Sequence, residues 1–166
     1  WLDWKPGAGS LRFKLGQIPT PLIGFVESLW GHRMQGPVAM DRTGYLTSAD
    51  LGISSAAAWD NNRINAVAGV YNGEGYSAAP GDQHKDVAAR VSVRLASTGV
   101  SSSTGGVRLT GFAHYGKASG GGIRSRYMGL LSYHGTRFRL GASLAETRDS
   151  TGALTPRTRG RVISVY

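Results

Sequence analysis

Apolar and polar side chains alternate along the stretch from Lys85 to Leu95, and this pattern constrains the fold more than any other in the chain. Successive side chains of an extended strand point to opposite faces, so the valines fall on one face and Arg90 and Arg94 on the other. In a soluble sheet, the apolar face would pack on a second layer and the charged face would meet water. In a transmembrane barrel, the apolar face would meet lipid and the arginines would line a wet interior. This strand by itself is compatible with both structures.

The same alternation recurs along the chain and predicts about nine β-strands. They are expected at about residues 1–5, 10–17, 48–59, 63–71, 85–95, 107–115, 123–133 and 137–144, with a last strand that ends at Tyr166. No helical crossover separates them, so the predicted fold is an all-β, antiparallel, up-and-down arrangement. One short helix is expected, with Thr20 and Pro21 at its start and Gly31 near its end.

The connections between these strands tend to alternate in length. Brief turns are expected near residues 6, 60 and 135, and longer loops at about 18–47, 72–84 and 147–156. The connections at 97–106 and 116–122 depart from this alternation. Short turns at one end and long loops at the other are typical of outer-membrane barrels. We therefore expect residues 1–166 to form a single β-barrel, or a segment of one, with a long loop at about 18–47.

The chain carries an excess of positive charge, which predicts an anionic partner. Nineteen Lys and Arg residues stand against ten Asp and Glu residues, for a formal net charge of +9. Nucleic acid, acidic lipid and small anionic solutes are the candidates. Among the aromatic side chains, Phe112 alone lies clearly on the arginine side of a predicted strand. Since nucleic-acid modules stack bases on aromatic residues beside arginines, this pattern argues against nucleic-acid binding.

Other classes of site find little support in the sequence. Cysteine is absent, which removes disulfides and thiolate metal sites, and the four histidines lack metal-ligand spacing. The glycine run at 120–122 lacks the lysine and the helix of a nucleotide-binding loop. No run approaches the roughly 20 apolar residues of a membrane helix. We therefore expect no metal, no cofactor, no enzymatic activity and no membrane-spanning helix.

Four short motifs carry a resemblance to a known family. They are RFKLGQIPTPL at 12–22, SADLGIS at 48–54, GVYNGEGY at 69–76 and RFRLGASLAE at 137–146. These stretches resemble Gram-negative outer-membrane porins, especially the group of phosphate-selective or short-chain porins. In those proteins a strand that ends in Gly-Gln runs into a proline-containing loop, and a later strand ends in a Tyr-Asn-Gly-Glu-Gly-type loop.

The resemblance implies a transmembrane, up-and-down β-barrel in a bacterial outer membrane, commonly assembled as a trimer. Barrels of this family have about 16 to 18 strands, which leaves an aqueous channel. About nine strands are predicted here, and the chain begins at Trp1 without an initiator methionine or a signal peptide. We therefore expect the chain to be processed or part of a larger barrel, with a complete small barrel as the alternative.

Seven arginines fall opposite the apolar register on four successive predicted strands. They are Arg90, Arg94, Arg108, Arg124, Arg126, Arg137 and Arg139. If the apolar face meets lipid, these side chains line the lumen, because an arginine facing the membrane midplane costs about 2–4 kcal/mol. A wall of arginines favours anions. The sequence therefore predicts a general preference for anions, with some arginines paired to Asp86 or Asp50. A solvated face of a soluble sheet is the alternative.

The long loop and the aromatic residues extend this interpretation. Within the loop at 18–47, Glu27, Asp41 and Arg42 are candidates to fold inward and narrow a channel, while an exposed surface loop is the alternative. Several Trp and Tyr residues lie near predicted strand ends, where membrane-interface girdles place them. These residues are Trp1, Trp4, Trp30, Trp59, Tyr71, Tyr115, Tyr127 and Tyr133.

The function that the sequence favours is that of an outer-membrane porin. Such a protein passes small hydrophilic solutes by diffusion, here with a preference for anions, and its partners are outer-membrane lipid and the solutes themselves. A homotrimer or a larger membrane assembly is compatible with this interpretation. The first alternative is a non-conducting outer-membrane barrel that anchors a surface assembly. The second is a soluble basic β-domain that binds an anionic polymer.

Overall fold

The computed structural model describes residues 1–7, 9–77, 83–118, 121–152 and 155–166. Within these ranges nine strands form one antiparallel sheet, in which every strand pairs with its neighbours in the sequence. The strands are β1 (Leu2–Trp4), β2 (Arg12–Pro19), β3 (Ala49–Trp59), β4 (Ile64–Tyr71), β5 (Asp86–Ala96), β6 (Gly106–Ala118), β7 (Gly122–His134), β8 (Arg139–Asp149) and β9 (Thr158–Val165). The predicted all-β, up-and-down arrangement is confirmed.

The sheet is open, so these nine strands do not form a closed barrel by themselves. β1 pairs with β2 and β9 pairs with β8, and the two edge strands do not meet. Strand directions alternate in a meander, so the first and ninth strands run the same way, and closure would require a parallel pair. β1 also offers only three residues for pairing. The alternative of a complete small barrel is therefore wrong for the described chain.

The longest connections lie at one end of the sheet, as the sequence predicted, although the connection at 97–105 lies at the other end with the brief turns. At the turn end, residues 60–63 join β3 to β4 and residues 135–138 join β7 to β8. The first of these turns holds Asp60, Asn61 and Asn62 in the left-handed region, with φ of 48°, 49° and 63°. Asp and Asn tolerate this conformation better than other residues with a Cβ atom. At the loop end, residues 20–48 and 72–85 form the longest connections, of which 78–82 lie outside the described residues.

Both neighbouring strands continue into the connection predicted at 116–122, of which residues 119–120 lie outside the described residues. β6 extends to Ala118 and β7 begins at Gly122. A Cβ atom at Gly116 would lie 1.9 Å from the carboxylate of Asp86, and one at Gly122 would lie 2.0 Å from the carbonyl oxygen of Ser150. These glycines permit close approach within the sheet and do not mark its turns. β8 likewise extends to Asp149, into the loop predicted at 147–156.

Large apolar side chains are exposed along one face of the sheet, here called the outer face. The exposed fraction is 47% for Val91, 53% for Leu131 and 75% for Ile163. Others with the same orientation are Leu15, Leu51, Ile53, Trp59, Ile64, Val70, Val87, Leu109, Tyr115, Tyr127, Tyr133, Leu140, Leu144 and Val165. The opposite, inner face carries Arg90 and Arg126 in the alternate register.

The inner face is covered by the connection between β2 and β3, here called the helical segment (residues 20–48). It contains α1 (Ile23–Trp30), a 3₁₀ turn at Arg33–Gln35 and α2 (Ala39–Arg42), whereas the sequence predicted one helix. The predicted start is also wrong, since Leu22 occupies the N-cap of α1 and the Thr20 hydroxyl instead donates to the Thr47 carbonyl. The predicted end at Gly31 is confirmed by its left-handed φ of 72°.

The hydrophobic core lies between the helical segment and the inner face. α1 packs against β8 and α2 against β9. The helical segment contributes Leu22, Ile23, Phe25, Val26, Leu29, Val38, Met40 and Leu46, and the sheet contributes Ile18, Tyr71, Ala88, Phe112, Met128, Leu130 and Ala145. The face that carries the arginines therefore also carries an apolar patch, which is buried beneath the helices.

Candidate functional site

The inner face gathers six of the seven arginines that the sequence singled out. Neighbouring strands place them in register, with Arg94 opposite Arg108 and Arg126 opposite His114. Arg137 is the exception, because it lies in the exposed turn between β7 and β8. Some of these arginines donate hydrogen bonds to oxygen atoms of the protein, and others remain accessible to solvent.

Arg90 anchors the start of the helical segment. Its Nε donates to the carbonyl oxygen of Pro21 at 2.9 Å and its Nη1 donates to the Oδ1 of Asn65 at 2.8 Å. The guanidinium also lies 4.0 Å from the centre of the Phe25 ring, which is a favourable distance for a cation–π contact. Arg90 is 6% exposed, so its charge is held by neutral oxygen atoms and an aromatic face, away from bulk water.

Arg108 is fully buried and ties together three parts of the sheet. Its Nε donates to the carbonyl oxygen of Gly105, its Nη1 to the Ser92 hydroxyl and its Nη2 to the carbonyl oxygen of Asn62. Three oxygen acceptors thus replace the water that the guanidinium loses on burial. Arg94 also donates to this turn, with its Nη2 at 3.0 Å from the carbonyl oxygen of Asn61. Both arginines stabilise the left-handed turn at 60–63.

Arg126 anchors the other end of the helical segment. Its Nη1 lies 2.6 Å from Oδ1 of Asp149, and its Nε donates to the carbonyl oxygen of Tyr45 at 3.2 Å. The guanidinium also lies 5.1 Å from the centre of the Tyr45 ring. Arg90 and Arg126 therefore clamp the two ends of one connection onto the inner face.

Asp86 is the centre of a charged cluster at the loop end. Its Oδ2 lies 2.9 Å from Nε2 of His114 and 3.4 Å from Nη2 of Arg124. Asp86 is 3% exposed, and its carboxylate lies against Gly116 and Gly73, where a side chain would collide with it. The predicted pairing of Asp86 with an inner-face arginine is confirmed. Asp50 instead accepts a hydrogen bond from the main-chain N–H of Gly73 at 2.7 Å.

The remaining arginines are the accessible ones. The Arg124 side chain is 32% exposed, and Arg137 and Arg139 are both exposed at the turn end. Arg139 reaches the helical segment, where its Nη1 lies 3.4 Å from the carbonyl oxygen of Ser28. A dissolved anion that approaches the inner face or its turn end would meet these side chains first.

The three residues predicted to narrow a channel all lie in the helical segment. Glu27 forms an ion pair with Arg33 of the same segment. Asp41 lies in α2 and is half-buried, and Arg42 is exposed at the end of that helix. The segment does lie over the inner face, but its contacts with the sheet arginines run through main-chain carbonyl groups and aromatic rings.

Two cavities lie between the helical segment and the sheet. The larger, of about 430 Å³, is lined by residues of α1 and α2, among them Ile23, Val26 and Met40, and by residues of β9 and Tyr166. The smaller, of about 220 Å³, lies at the loop end and is lined by Asp50, Asp86, His114, Arg124 and Arg126, together with Tyr45 and its neighbours. The space beside the Asp86 cluster is therefore lined by charged side chains and is large enough to hold water molecules.

The aromatic residues separate into two groups. Trp59 and Tyr133 lie on the outer face near the turn end, and Tyr115 and Tyr127 lie on it towards the loop end. Trp30 belongs to α1 and Tyr71 is buried on the inner face, so neither has the position that the girdle prediction required. Strand alternation assigns Tyr71 to the inner face, and this is the signal that would have corrected its assignment.

Within the described ranges, no helix has the length and hydropathy needed to cross a membrane. Nor do the described His, Asp and Glu side chains form a group of three or more that could hold a metal ion. Comparison with models of protein families, with curated proteins and with solved structures finds no match for this chain.

Proposed function

We propose that this chain forms part of the wall of a transmembrane β-barrel of the outer-membrane porin type. In this proposal the outer face meets lipid, and small hydrophilic solutes diffuse along the inner side. The observation that carries the proposal is the exposure of Val, Leu, Ile and Tyr side chains across most of one face of the sheet. Large exposed apolar surfaces on monomeric soluble proteins are uncommon and mark contact with a partner or a membrane.

Strand length supports lipid as the partner of the outer face. A tilted transmembrane strand needs about 9–11 residues. β3, β5 and β8 have 11 residues each, and β6 and β7 have 13 each. Trp59 and Tyr115 lie towards opposite ends of the outer face, as expected for side chains at the two membrane–water interfaces. Strands in globular proteins are usually about 3–10 residues long, so these strands are longer than is usual there.

The sheet has two open edges, formed by β1 and β9, which a transmembrane barrel must pair with further strands. The main-chain groups of β1 and β9 that face away from the sheet have no strand partner in the described residues. Unpaired main-chain groups are very unfavourable in hydrocarbon. The barrel must therefore include further strands beyond these nine, and assembly as a homotrimer remains part of the proposal.

The preference for anions rests on the accessible arginines. Arg90, Arg108 and Arg126 direct their N–H groups at protein oxygen atoms, so they contribute mainly a fixed positive potential. Arg124, Arg137 and Arg139 are the side chains that a passing anion would meet. Because positively charged pore linings favour anions, we propose a modest and general preference over a specific phosphate site.

Conductance across a planar bilayer tests this function. Assembled as a closed barrel with its further strands, the protein should give steady conductance, and its reversal potential in a KCl gradient should show a preference for chloride. The double substitution Arg137→Gln and Arg139→Gln should weaken that preference, whereas Arg161→Gln on the outer face should leave it unchanged. Conductance without chloride preference would contradict the role of the arginines. Failure to insert into the bilayer would contradict the membrane location itself.

A non-conducting barrel that anchors a surface assembly is the second candidate. It is favoured by the helical segment, which buries an apolar core on the inner face and is clamped by Arg90 and Arg126. A segment held in this way narrows or blocks the space beside it. Stable insertion with no conductance would support this candidate against the porin.

A further inference from the structure

Four arginines form a second basic surface, this time on the outer face. Arg148 lies directly opposite Arg159 in the β8–β9 pair, and Arg161 lies opposite Glu146 two positions along. Arg157 precedes β9 and borders the same surface. We call this group of Arg148, Arg157, Arg159 and Arg161 the outer basic patch. None of the four belongs to the inner-face arginines described above.

The charge of the outer basic patch is poorly balanced. Glu146 is the one carboxylate that the described residues place beside it, and Nε of Arg148 lies 2.8 Å from Oε1 of Glu146. Arg157, Arg159 and Arg161 are exposed. Like charges directly opposite each other on adjacent strands are destabilising. An anion bound between or above Arg148 and Arg159 would therefore reduce the repulsion between their positive charges.

A pocket of about 200 Å³ adjoins the patch on the outer face. It is lined by Tyr115, Ile123, Ser125, Tyr127, Arg148 and Arg157. Ser125 is only 6% exposed, whereas Tyr115 and Tyr127 are 47% and 45% exposed. The guanidinium of Arg148 also lies 5.8 Å from the centre of the Tyr127 ring. The pocket thus combines arginine and hydroxyl donors with aromatic walls.

The position of the pocket identifies the class of ligand. Tyr115 and Arg148 share a row across the sheet, and Tyr127, Glu146 and Arg161 share the next. The following rows towards the turn end carry Leu144, Ile163 and Leu131. A molecule that fills this position therefore meets cations at one end and apolar side chains below them. An anionic lipid complements this arrangement, because it carries a negatively charged headgroup above hydrocarbon chains.

We infer that the outer basic patch and its pocket bind the phosphate-bearing headgroup of an anionic lipid, whose chains lie along the apolar outer face. This inference rests on the proposed membrane location, and it adds a specific lipid partner at the loop end of the sheet. Arg157 and Arg159 contact the phosphate, Arg148 is held in place by Glu146, and Tyr115 and Tyr127 border the headgroup.

Titration of the protein in a neutral detergent tests the inference. The probes are dioctanoyl phosphatidic acid, dioctanoyl phosphatidylcholine and inorganic phosphate. The protein should bind phosphatidic acid more tightly than phosphatidylcholine, and the preference should weaken with added salt. The double substitution Arg157→Gln and Arg159→Gln should lower the affinity for phosphatidic acid by roughly 30-fold, because each arginine near an anionic surface contributes about fivefold.

The matched control removes the same charge at the opposite end of the sheet. Arg63→Gln with Arg137→Gln changes two exposed arginines of the turns and should alter the affinity for phosphatidic acid by less than about twofold. Far-UV circular dichroism verifies that both double variants fold. Equal loss in the two variants, equal affinity for the two lipids, or full displacement of phosphatidic acid by inorganic phosphate would overturn the inference.

The same preparation separates this inference from the proposed function. Insertion into phosphatidylcholine vesicles, measured as resistance to extraction at alkaline pH, reports the membrane location and requires no anionic lipid. Insertion without preference for phosphatidic acid would overturn the lipid site alone. Absence of insertion would overturn the membrane location, whatever the titration in detergent shows.

Discussion

Individual glycines in this sheet have opposite roles that depend on their face. Gly116 lies on the inner face of β6, where a Cβ atom would lie within 2 Å of the Asp86 carboxylate. Gly111 lies on the outer face of the same strand, with no atom within 4 Å of the position of a Cβ. The absence of a side chain at Gly116 therefore leaves room for the contact of Asp86 with His114. A Cβ atom at Gly111, in contrast, would meet no neighbouring atom.

Alanine at these two glycines provides a prediction at the residue scale. Gly116→Ala should displace Asp86 and lower the free energy of unfolding by about 2 kcal/mol, within the range of overpacking substitutions. Gly111→Ala should change it by less than about 0.5 kcal/mol, as exposed substitutions usually do. Urea unfolding of both variants in detergent measures the difference. Equal stability of the two variants would contradict the packing of Asp86 against β6.

At the scale of elements, the helical segment is held by a few strong contacts. Phe25 is 8% exposed in α1 and stacks on the guanidinium of Arg90. Arg33 follows in an exposed turn, with 60% of its side chain accessible. A segment that packs on the sheet through one helix face is expected to detach locally when the packing contacts of that face are removed.

Truncation of Phe25 should release the helical segment without unfolding the sheet. Phe25→Ala removes a buried ring, and such substitutions cost about 3–5 kcal/mol in a core. Trypsin should then cleave after Arg33 and Arg42 much faster than in the unmodified protein, while the β-sheet signal in circular dichroism persists. Met34→Ala, at a side chain that is 92% exposed in the same segment, is the control and should leave the cleavage rate unchanged. Equal cleavage of both variants would show that Phe25 does not hold the segment.

At the scale of the whole molecule, the distribution of apolar side chains over the sheet differs from that of a typical soluble protein. The core lies beneath the helical segment on the face with the arginines, and the valine and leucine side chains of the strands are exposed. Water is an unfavourable environment for that outer face, at roughly 25 cal/mol for each Å² of apolar surface. Lipid removes this cost, which is the physical basis of the proposed membrane location.

Substitution of Leu131 tests that environment directly. If its side chain meets the membrane core, Leu131→Arg should lower the stability in vesicles by about 2–4 kcal/mol. Met34→Arg introduces the same charge at an exposed position of the helical segment and should have little effect. Guanidine unfolding from vesicles measures both. Tolerance of arginine at 131 in vesicles would contradict contact of this side chain with lipid.

Much of this architecture could be predicted from the sequence, because strand formation depends on local alternation. The order of strands, the two faces and the turn at 60–63 each follow from neighbouring residues. The ends of strands were less predictable. Glycines are common in turns, but Gly116 and Gly122 lie within strands and pack closely against neighbouring atoms. The sequence predicted that Asp86 pairs with one of the inner-face arginines but did not single out Arg124, and the pairing of Arg126 with Asp149 was not predicted.

The sequence by itself determined which side chains share a face, since a period of two residues sets the direction of every side chain in a strand. Only the tertiary structure decided which arginines are buried and which are accessible. Arg90 meets Pro21 across 69 residues and Arg139 meets Ser28 across 111, and no local pattern encodes such contacts. The physical reason is that burial of the inner face depends on where the helical segment folds back, and that position is set by long-range packing.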